Sequence, residues 1–299
     1  MQLVCPAKIN LFLKVLGKRS DGFHTLESLL VFTDLVDNLN VEKEPNFQIE
    51  ISGSQANLID KNNNLFTKIF NFFQKEFNLE SCVKITLEKN IPIGGGLGGG
   101  SSNAASFMIL LNKIFKLNLN KKELQEISLN FGSDIAFFFE DYASIIKGRG
   151  ELIFNFPEFA SFTALLINPK IHLSTKEIFD KFALSLPEFQ NIAEESSAKF
   201  SKEIPTKILL KENIFNLTKE LVNDLEIPAI KAAPEIAEIL KNCKKFGAKI
   251  AKMSGSGSTC FAIFENRTIL QNTINFFNQT FPDYFVQEVT ISHKNPVKL

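Results

Sequence analysis

The sequence predicts a protein of two α+β domains. Its 299 residues exceed the size of one average domain, and 44% of them are hydrophobic, which is enough for a sizeable core. Strand-like and helix-like segments occur as hairpins mixed with helices instead of alternating strictly. Strict alternation is typical of a doubly wound parallel sheet, so the mixed order favours an α+β architecture. We place the domains at residues 1–155 and 156–299.

The N-terminal half begins with a predicted hairpin. Residues 7–15 alternate between two faces, Ser20-Asp21-Gly22 is typical of a turn, and residues 23–32 form the predicted second strand. Residues 102–115 are apolar on nearly every side, which predicts a buried helix. The other elements predicted here are a short strand at 47–51, a helix at 65–77, a strand at 83–87 and a helix at 121–130.

The C-terminal half repeats this mixture of elements. Two strands joined by Gly148-Arg149-Gly150 bring the chain to the predicted domain boundary. Residues 186–213 are charged and Ser-rich, and we interpret them as a variable excursion. Strands are predicted at 143–147, 151–155, 162–167, 248–253, 259–264 and 284–292, with two or three helices in 214–246 and one at 267–279.

Composition excludes several classes of function. Thirty-three basic and 33 acidic residues give a formal net charge of zero, so we expect no nucleic-acid or membrane partner. Polar Lys8, Asn10 and Lys14 interrupt what would be the apolar core of a signal peptide. Four distant cysteines and three scattered histidines fit neither a zinc site nor a disulfide framework. We therefore expect a cytoplasmic protein with reduced thiols.

One glycine-rich segment points to phosphate chemistry. It satisfies a dinucleotide-binding spacing, but the second strand that this motif requires is missing from KLNLNKKELQEI. A Walker A loop would need a lysine after its last glycine, and a flexible linker would not lie between a strand and an apolar helix. The segment comprises Pro92, Ile93, Gly94, Gly95, Gly96, Leu97, Gly98, Gly99, Gly100, Ser101 and Ser102.

The remaining hypothesis is an anion cradle at the start of a helix. Glycines let backbone amides approach phosphate oxygens closely, and a helix N-terminus favours negative charge. Ser101 or Ser102 would cap the helix at residue 102.

Other candidate residues have structural explanations when each is considered alone. Asp134 fits a turn cap after Gly132-Ser133, although the apolar stretch behind it also predicts partial burial beside a cation. Lys8 fits an exposed edge-strand lysine, and it shares a strand face with Asn10. Residues 253–258 fit a plain hairpin loop, His24 a structural histidine and Phe179 a core residue.

Taken together, these segments resemble the GHMP kinases. The resemblance covers residues 4–265 in the order of the family's motifs. Phe23 stands where tyrosine is more usual, Ala136 replaces a usual proline, and residues 186–213 match nothing in the family. The resembling segments are PIGGGLGGGSSNAA at 92–105, PAKINL at 6–11, DGFH at 21–24, GSDIAFF at 132–138, GRGE at 148–151, TKEIF at 175–179, NDLE at 223–226 and MSGSG at 253–257.

The resemblance implies a fold and a division of roles. The N-terminal half would be ribosomal-protein-S5-domain-2-like and bind ATP on the glycine loop, and the C-terminal half would be ferredoxin-like. Asp134 would accept the proton of the substrate hydroxyl, and Lys8 would orient that hydroxyl. ATP chemistry implies Mg²⁺, for which Ser102 is a candidate ligand. A second glycine loop would close over the phosphates with Ser254, Gly255, Ser256 and Gly257.

The doubled glycine triplets and Asn103 resemble one branch of the family. That branch phosphorylates the 2-hydroxyl of a cytidine diphosphate derivative of methylerythritol, in non-mevalonate isoprenoid biosynthesis. Phe23 and Phe179 would then sandwich the cytosine and His24 would bond its edge, with Asn10 and Thr175 also at the substrate. The alternatives are another GHMP kinase, such as homoserine kinase, or a non-catalytic binding protein on the same scaffold.

Overall fold

A computed structural model describes residues 1–19, 21–59, 64–156, 159–184, 214 and 221–297. The strands within these ranges join into one sheet of ten strands. They are β1 Gln2–Lys18, β2 His24–Glu44, β3 Gln48–Ser52, β4 Cys82–Glu88, β5 Ser144–Gly148, β6 Leu152–Asn155, β7 Phe162–Asn168, β8 Ile250–Met253, β9 Cys260–Ile263 and β10 Phe285–Ser292.

Helices pack against this sheet in both halves of the chain. Two short 3₁₀ helices, Ala56–Leu58 and Ala136–Phe139, lie in the loops of the N-terminal half. The α-helices are α1 Leu65–Glu76, α2 Gly99–Phe115, α3 Lys121–Ser128, α4 Thr175–Leu184, α5 Glu226–Ala232, α6 Glu235–Lys245 and α7 Arg267–Thr280.

Strand β2 connects the parts of the sheet, and β1 forms a hairpin with it. The two strands pair antiparallel along almost their whole length. The opposite edge of β2 pairs with β5 near the turn, with β10 in the middle and with β4 at the far end. Strand β10 also pairs with β7, so the sheet runs from the N-terminal half into the C-terminal half. The division at residues 155 and 156 stays a prediction.

Strand β2 extends well beyond its predicted end at residue 32. It continues to Glu44 because its second part lies between β1 and β4, where both edges are hydrogen-bonded. The polar sequence DNLNVEKE hides this strand, since Leu39 and Val41 are buried while the polar positions between and after them stay more open. Partners distant in sequence therefore decide the length of this strand.

Three hydrophobic clusters form the core. The first packs α1 and α2 against β2 and β4, and the third packs α4 to α7 against β7, β8 and β9. The second joins Ile9 and Val31 of the central hairpin to Leu166, Phe261 and Val289 of the C-terminal half. The core thus continues across both halves and holds the loops between them in fixed positions.

Most predicted elements are confirmed, with small shifts at their ends. Helix α2 begins at Gly99 and not at Ser102, because Gly98 adopts the left-handed conformation that ends the preceding loop. Two of the helices expected in 214–246 are α5 and α6. The excursion predicted at 186–213 lies outside the described residues. Within the described ranges, no helix is long and apolar enough to cross a membrane.

Candidate active site

A cavity of about 630 Å³ lies where the glycine segment meets the C-terminal half. This volume is within the usual range for small-molecule sites. Its walls come from β1, the loop before α2, the start of α4 and the loop between β8 and β9. Every residue of the predicted cradle except Ser102 lines the cavity, as do Lys8, Asp134 and Phe179.

The residues of the predicted anion cradle lie before and within the first turn of α2. Gly98, with a φ of 67°, precedes the helix, and Ser102 N–H donates to its carbonyl oxygen. The amides of Gly99, Gly100 and Ser101 are therefore in the first turn, where no intrahelical acceptor exists. A Cβ atom on Gly100 would meet nothing within 4 Å, so this glycine faces open space. These amides are available to an anion in the cavity.

Serine capping of this helix, which the sequence predicted, does not occur. The residue at the cap position is Gly98, and no side chain bonds the first turn. Ser101 and Ser102 instead occupy the first turn itself, because the helix starts three residues early. Ser102 Oγ is buried without a hydrogen-bond partner in the described part of the chain. It does not line the cavity, and its role as a metal ligand stays a prediction.

The second glycine loop packs directly against the first. Gly96 has a φ of 76°, and a Cβ atom there would overlap the carbonyl oxygen of Ser254. Ser254 Oγ donates to Gly96 O at 3.1 Å and accepts from the backbone N–H of Asn10 at 3.2 Å. Glycine at position 96 is thus required for close contact with the C-terminal half.

Two further contacts hold the second loop in place. The side-chain amide of Asn223 donates through Nδ2 to Met253 O and Gly255 O, both at 2.8 Å. The hydroxyl groups of Thr175 and Ser256 lie 2.9 Å apart, which ties the start of α4 to this loop. Thr175 lines the cavity, but its hydroxyl contacts the loop, and its role at the substrate stays a prediction.

Lys8 and Asp134 meet in the cavity although 126 residues separate them in the sequence. The distance from Lys8 Nζ to Asp134 Oδ2 is 3.6 Å. Lys8 Nζ also donates to Asn10 Oδ1 at 2.5 Å and to Gly96 O at 2.9 Å. Two acceptors thus hold the ammonium group beside the carboxylate.

The two partners differ sharply in exposure. Lys8 is buried, so the expectation that it is exposed is wrong; burial lowers the pKa of its ammonium group, and the Asp134 charge opposes this. The Asp134 side chain is 52% exposed, which is more open than the apolar stretch behind it suggested, and the cation expected beside it is Lys8. The carboxylate remains open because it lies at the mouth of the cavity, while the phenylalanines after it turn into the core.

The three rings predicted to bind the base have different partners. The His24 and Phe179 rings stack with centroids 5.1 Å apart and an interplanar angle of 25°. Phe23 is 49% exposed and instead lies under the Arg149 guanidinium group, 5.2 Å from its ring centroid. Burial and the charge of Lys18 lower the pKa of His24, which keeps its imidazole neutral. Phe23 and Phe179 therefore have different contacts, and their sandwich around cytosine stays a prediction.

Sequence reasoning missed a buried polar network beneath the cradle. Asp37 pairs with Lys89 and accepts from Asn103 Nδ2 at 2.9 Å. Its other oxygen accepts the backbone amides of Asn90 and Ile91 at 2.7 and 2.8 Å. The network fixes the chain between β4 and α2. The unexpected Lys89 directly before the glycine segment was the available signal.

Family models match both halves of the chain. The model of the GHMP kinases N terminal domain matches residues 64–141, and that of the GHMP kinases C terminal matches residues 207–283. A protein of Thermodesulfovibrio yellowstonii is 36% identical over 287 residues, which cover 92% of this chain and 94% of the relative. The chain belongs to the GHMP kinase family. It is an ATP-dependent kinase, so the non-catalytic alternative is set aside.

The relatives of this kinase agree in their names. The Thermodesulfovibrio protein is called 4-diphosphocytidyl-2-C-methyl-D-erythritol kinase, as is one of Prochlorococcus marinus, which is 34% identical over 93% of this chain and 90% of its own. A crystal structure of 4-(cytidine 5'-diphospho)-2C-methyl-D-erythritol kinase matches with a TM-score of 0.73 and 25% identity, over 98% of this chain and 99% of that chain.

Other GHMP kinases share the fold at lower identity. The homoserine kinase from Cytophaga hutchinsonii matches with a TM-score of 0.70 and 17% identity, over 100% of this chain and 97% of that chain. At this identity the match shows the fold alone. The predicted α+β GHMP kinase fold is confirmed.

Proposed function

We propose that this kinase transfers the γ-phosphoryl group of ATP to the 2-hydroxyl of 4-diphosphocytidyl-2-C-methyl-D-erythritol. The product would be the 2-phosphate, an intermediate of non-mevalonate isoprenoid biosynthesis. Names of relatives that match almost the whole chain support this acceptor. The observation that carries the proposal is that one cavity joins an open helix N-terminus, the Lys8–Asp134 pair and the stacked ring of Phe179.

ATP fits the part of the cavity nearest α2. The amides of the first helical turn suit the negatively charged phosphates, which a helix N-terminus favours. Beyond them the wall turns apolar, with Ile59, Leu65 and Leu87, as a flat adenine ring requires. The triphosphate would then point from this apolar end toward Lys8 and Asp134.

Asp134 and Lys8 are the groups that we assign to the reacting hydroxyl. The exposed carboxylate accepts the proton of the acceptor hydroxyl. The hydroxyl oxygen then forms the bond to the γ-phosphorus as the bond between this phosphorus and ADP breaks. The buried Lys8 ammonium group is fixed by Asn10 and Gly96, so it can stabilise negative charge without reorganising. Phosphoryl transfer depends mainly on such positioning and charge stabilisation.

Magnesium would enter with the nucleotide. No group of three or more His, Cys, Asp and Glu side chains in the described ranges could hold a metal ion. Asp134 is the one carboxylate among the described residues that line the cavity. This sparse set of ligands fits Mg²⁺, which is usually bound by one or two carboxylates together with substrate phosphates. The ion would neutralise charge on the phosphates of ATP.

The base of the acceptor fits the end of the cavity that is lined by Phe179, whose ring stacks on His24. A stacked aromatic ring provides a face for a base, worth roughly 1–3 kcal/mol. A neutral imidazole has one donor and one acceptor nitrogen, which can be matched to the polar edge of cytosine. We assign Phe23, His24 and Phe179 to this base, and Asn10 and Thr175 to the remainder of the acceptor.

Steady-state kinetics with three acceptors test the proposal. The purified protein should phosphorylate the cytidylylated compound efficiently, methylerythritol 4-phosphate poorly and homoserine not measurably, since the smaller acceptors lack a base to stack. ATP consumption without an acceptor should be low. Efficient phosphorylation of homoserine, or equal rates with and without the cytidine group, would contradict this acceptor and leave the family assignment intact.

A further inference from the structure

Arg149 is a cavity residue without a role in the mechanism above. It lies in the turn between β5 and β6, and Glu151 accepts its backbone N–H at 2.6 Å. Its side chain lines the cavity, and its guanidinium carbon lies 5.2 Å from the centroid of the Phe23 ring. The turn and the ring together hold this cation in one place.

The charge of Arg149 acts at longer range on Asp21, but Arg149 forms no ion pair within the described part of the chain. No carboxylate there lies within 4.0 Å of its guanidinium group. Arg19, in the neighbouring loop, shows the contrast, because its guanidinium lies 3.1 Å from Asp21 and 3.7 Å from Glu151. Of these two arginines, Arg149 is the one with its charge available to an anion in the cavity.

Arg149 also stands between the two ends of the acceptor site. On one side it covers Phe23, which we assign to the base. On the other side its turn touches the residue before Asp134, since a Cβ atom on Gly150 would lie 3.0 Å from Ser133 O. An acceptor that spans from the base to the reacting hydroxyl must pass this point.

We propose that Arg149 binds the diphosphate that links cytidine to the sugar alcohol, and so selects nucleoside diphosphate acceptors. This inference rests on the proposed function. A guanidinium group suits phosphoryl oxygens because its planar N–H donors can make two parallel hydrogen bonds. Phe23 stays 49% exposed beside Arg149, so part of its ring is open to the base. The ATP phosphates have the α2 amides as their own site, so we assign Arg149 to the acceptor.

The test compares ligands that differ only in their phosphates. The affinities of cytidine, CMP and CDP are measured by calorimetry for the parent and for Arg149→Gln and Arg149→Lys. Arg267→Gln is the control, because it removes an arginine whose side chain is 84% exposed. Arg149→Gln should lose about 10- to 100-fold in CDP affinity, the range for a charge-assisted hydrogen bond. Cytidine should bind equally to all four proteins, and Arg149→Lys should be intermediate for CDP.

Kinetics give a second readout. In Arg149→Gln the KM for the cytidylylated acceptor should rise while the KM for ATP stays unchanged. Equal losses of cytidine and CDP affinity would overturn the inference, because Arg149 would then only support Phe23. A raised KM for ATP with unchanged CDP binding would assign Arg149 to the donor instead.

The outcomes also separate this inference from the proposed function. If the parent protein itself neither binds cytidine compounds nor phosphorylates the cytidylylated acceptor, the proposed function fails. If the parent protein binds these compounds but Arg149→Gln keeps the parent's preference for CDP over cytidine, only the inference about Arg149 fails. Thermal unfolding checks that each variant is folded. If Arg149→Gln does not fold, Arg149→Lys provides the comparison of CDP with cytidine affinity.

Discussion

Gly98 and Gly100 lie two residues apart, but a side chain at each should have opposite consequences. A Cβ atom on Gly98 would lie 2.9 Å from both Lys8 Cγ and Phe138 Cζ, and its φ of 67° is left-handed. A Cβ atom on Gly100 would meet nothing within 4 Å, in a helical turn without positive φ. Gly98→Ala should therefore perturb the folded protein, and a side chain at Gly100 should perturb the ligand site.

The expected magnitudes follow from these environments. A left-handed alanine costs about 1–2 kcal/mol before the steric overlap with Lys8 and Phe138 is added. That cost should lower the unfolding temperature of Gly98→Ala by at least about 2–4 °C. Gly100→Ala should keep or slightly raise the unfolding temperature, since alanine is favoured over glycine in helices by up to about 1 kcal/mol.

The effect on ATP runs the other way for Gly100. A valine there would fill the space beside the first-turn amides and remove at least one charge-assisted hydrogen bond to a phosphate. That loss is about 1.5–3 kcal/mol, or roughly 10- to 100-fold in affinity. Calorimetric titration with ATP, alongside thermal unfolding, measures both quantities. Unchanged ATP affinity in a folded Gly100→Val would refute the assignment of the cradle to the phosphates.

Three other predictions concern the remaining parts of the site and the thiols. Asp134→Asn should lower turnover by about 10²–10⁴-fold with little change in acceptor affinity; near-normal turnover, measured with a coupled ADP assay, would reduce Asp134 to a turn cap. Phe179→Ala should weaken the acceptor by about 1–3 kcal/mol and spare ATP, and calorimetry with each ligand would expose an equal loss of both. At pH 8 a thiol reagent should react with the half-buried Cys82 faster than with Cys5 or Cys243. Burial raises the pKa of Cys5 to about 11 and that of Cys243 to about 12, so their reactive thiolates form only as the pH rises toward these values. Mass spectrometry of the labelled protein measures the rates, and labelling of Cys5 or Cys243 as fast as Cys82 would contradict the prediction.

Local patterns were sufficient to predict much of this fold. The alternation in residues 7–15 predicted a strand because one face of β1 meets the core, and the apolar run after the glycines predicted a helix buried on most sides. The glycine segment also predicted its own chemistry, since few other structures need so many small residues directly before a helix. These features depend on neighbours in sequence.

Features that depend on distant partners were harder to predict. The second part of β2 looks polar and forms a strand because β1 and β4 flank it. The start of α2 depends on the left-handed Gly98, which contacts Lys8 and Phe138. Nothing local predicts that Asp134 is exposed, because the side chains after it and the side chain itself face different environments.

The site could be predicted in its residues better than in its contacts. The family resemblance brought Lys8 and Asp134 together, and the structure places them 3.6 Å apart. It gave no indication that Phe23 would lie under Arg149, because that contact joins two turns from different hairpins. The second glycine loop likewise contacts the first through Ser254 and Gly96, a pairing that neither segment encodes alone.

A crystal structure with a non-hydrolysable ATP analogue and the cytidylylated acceptor tests the central claim most directly. The account predicts phosphate oxygens at the amides of Gly99, Gly100 and Ser101, with the acceptor's 2-hydroxyl within hydrogen-bonding distance of Asp134 and in line with the γ-phosphorus. A triphosphate bound away from the start of α2, or an acceptor whose 2-hydroxyl is out of reach of Asp134, would contradict it.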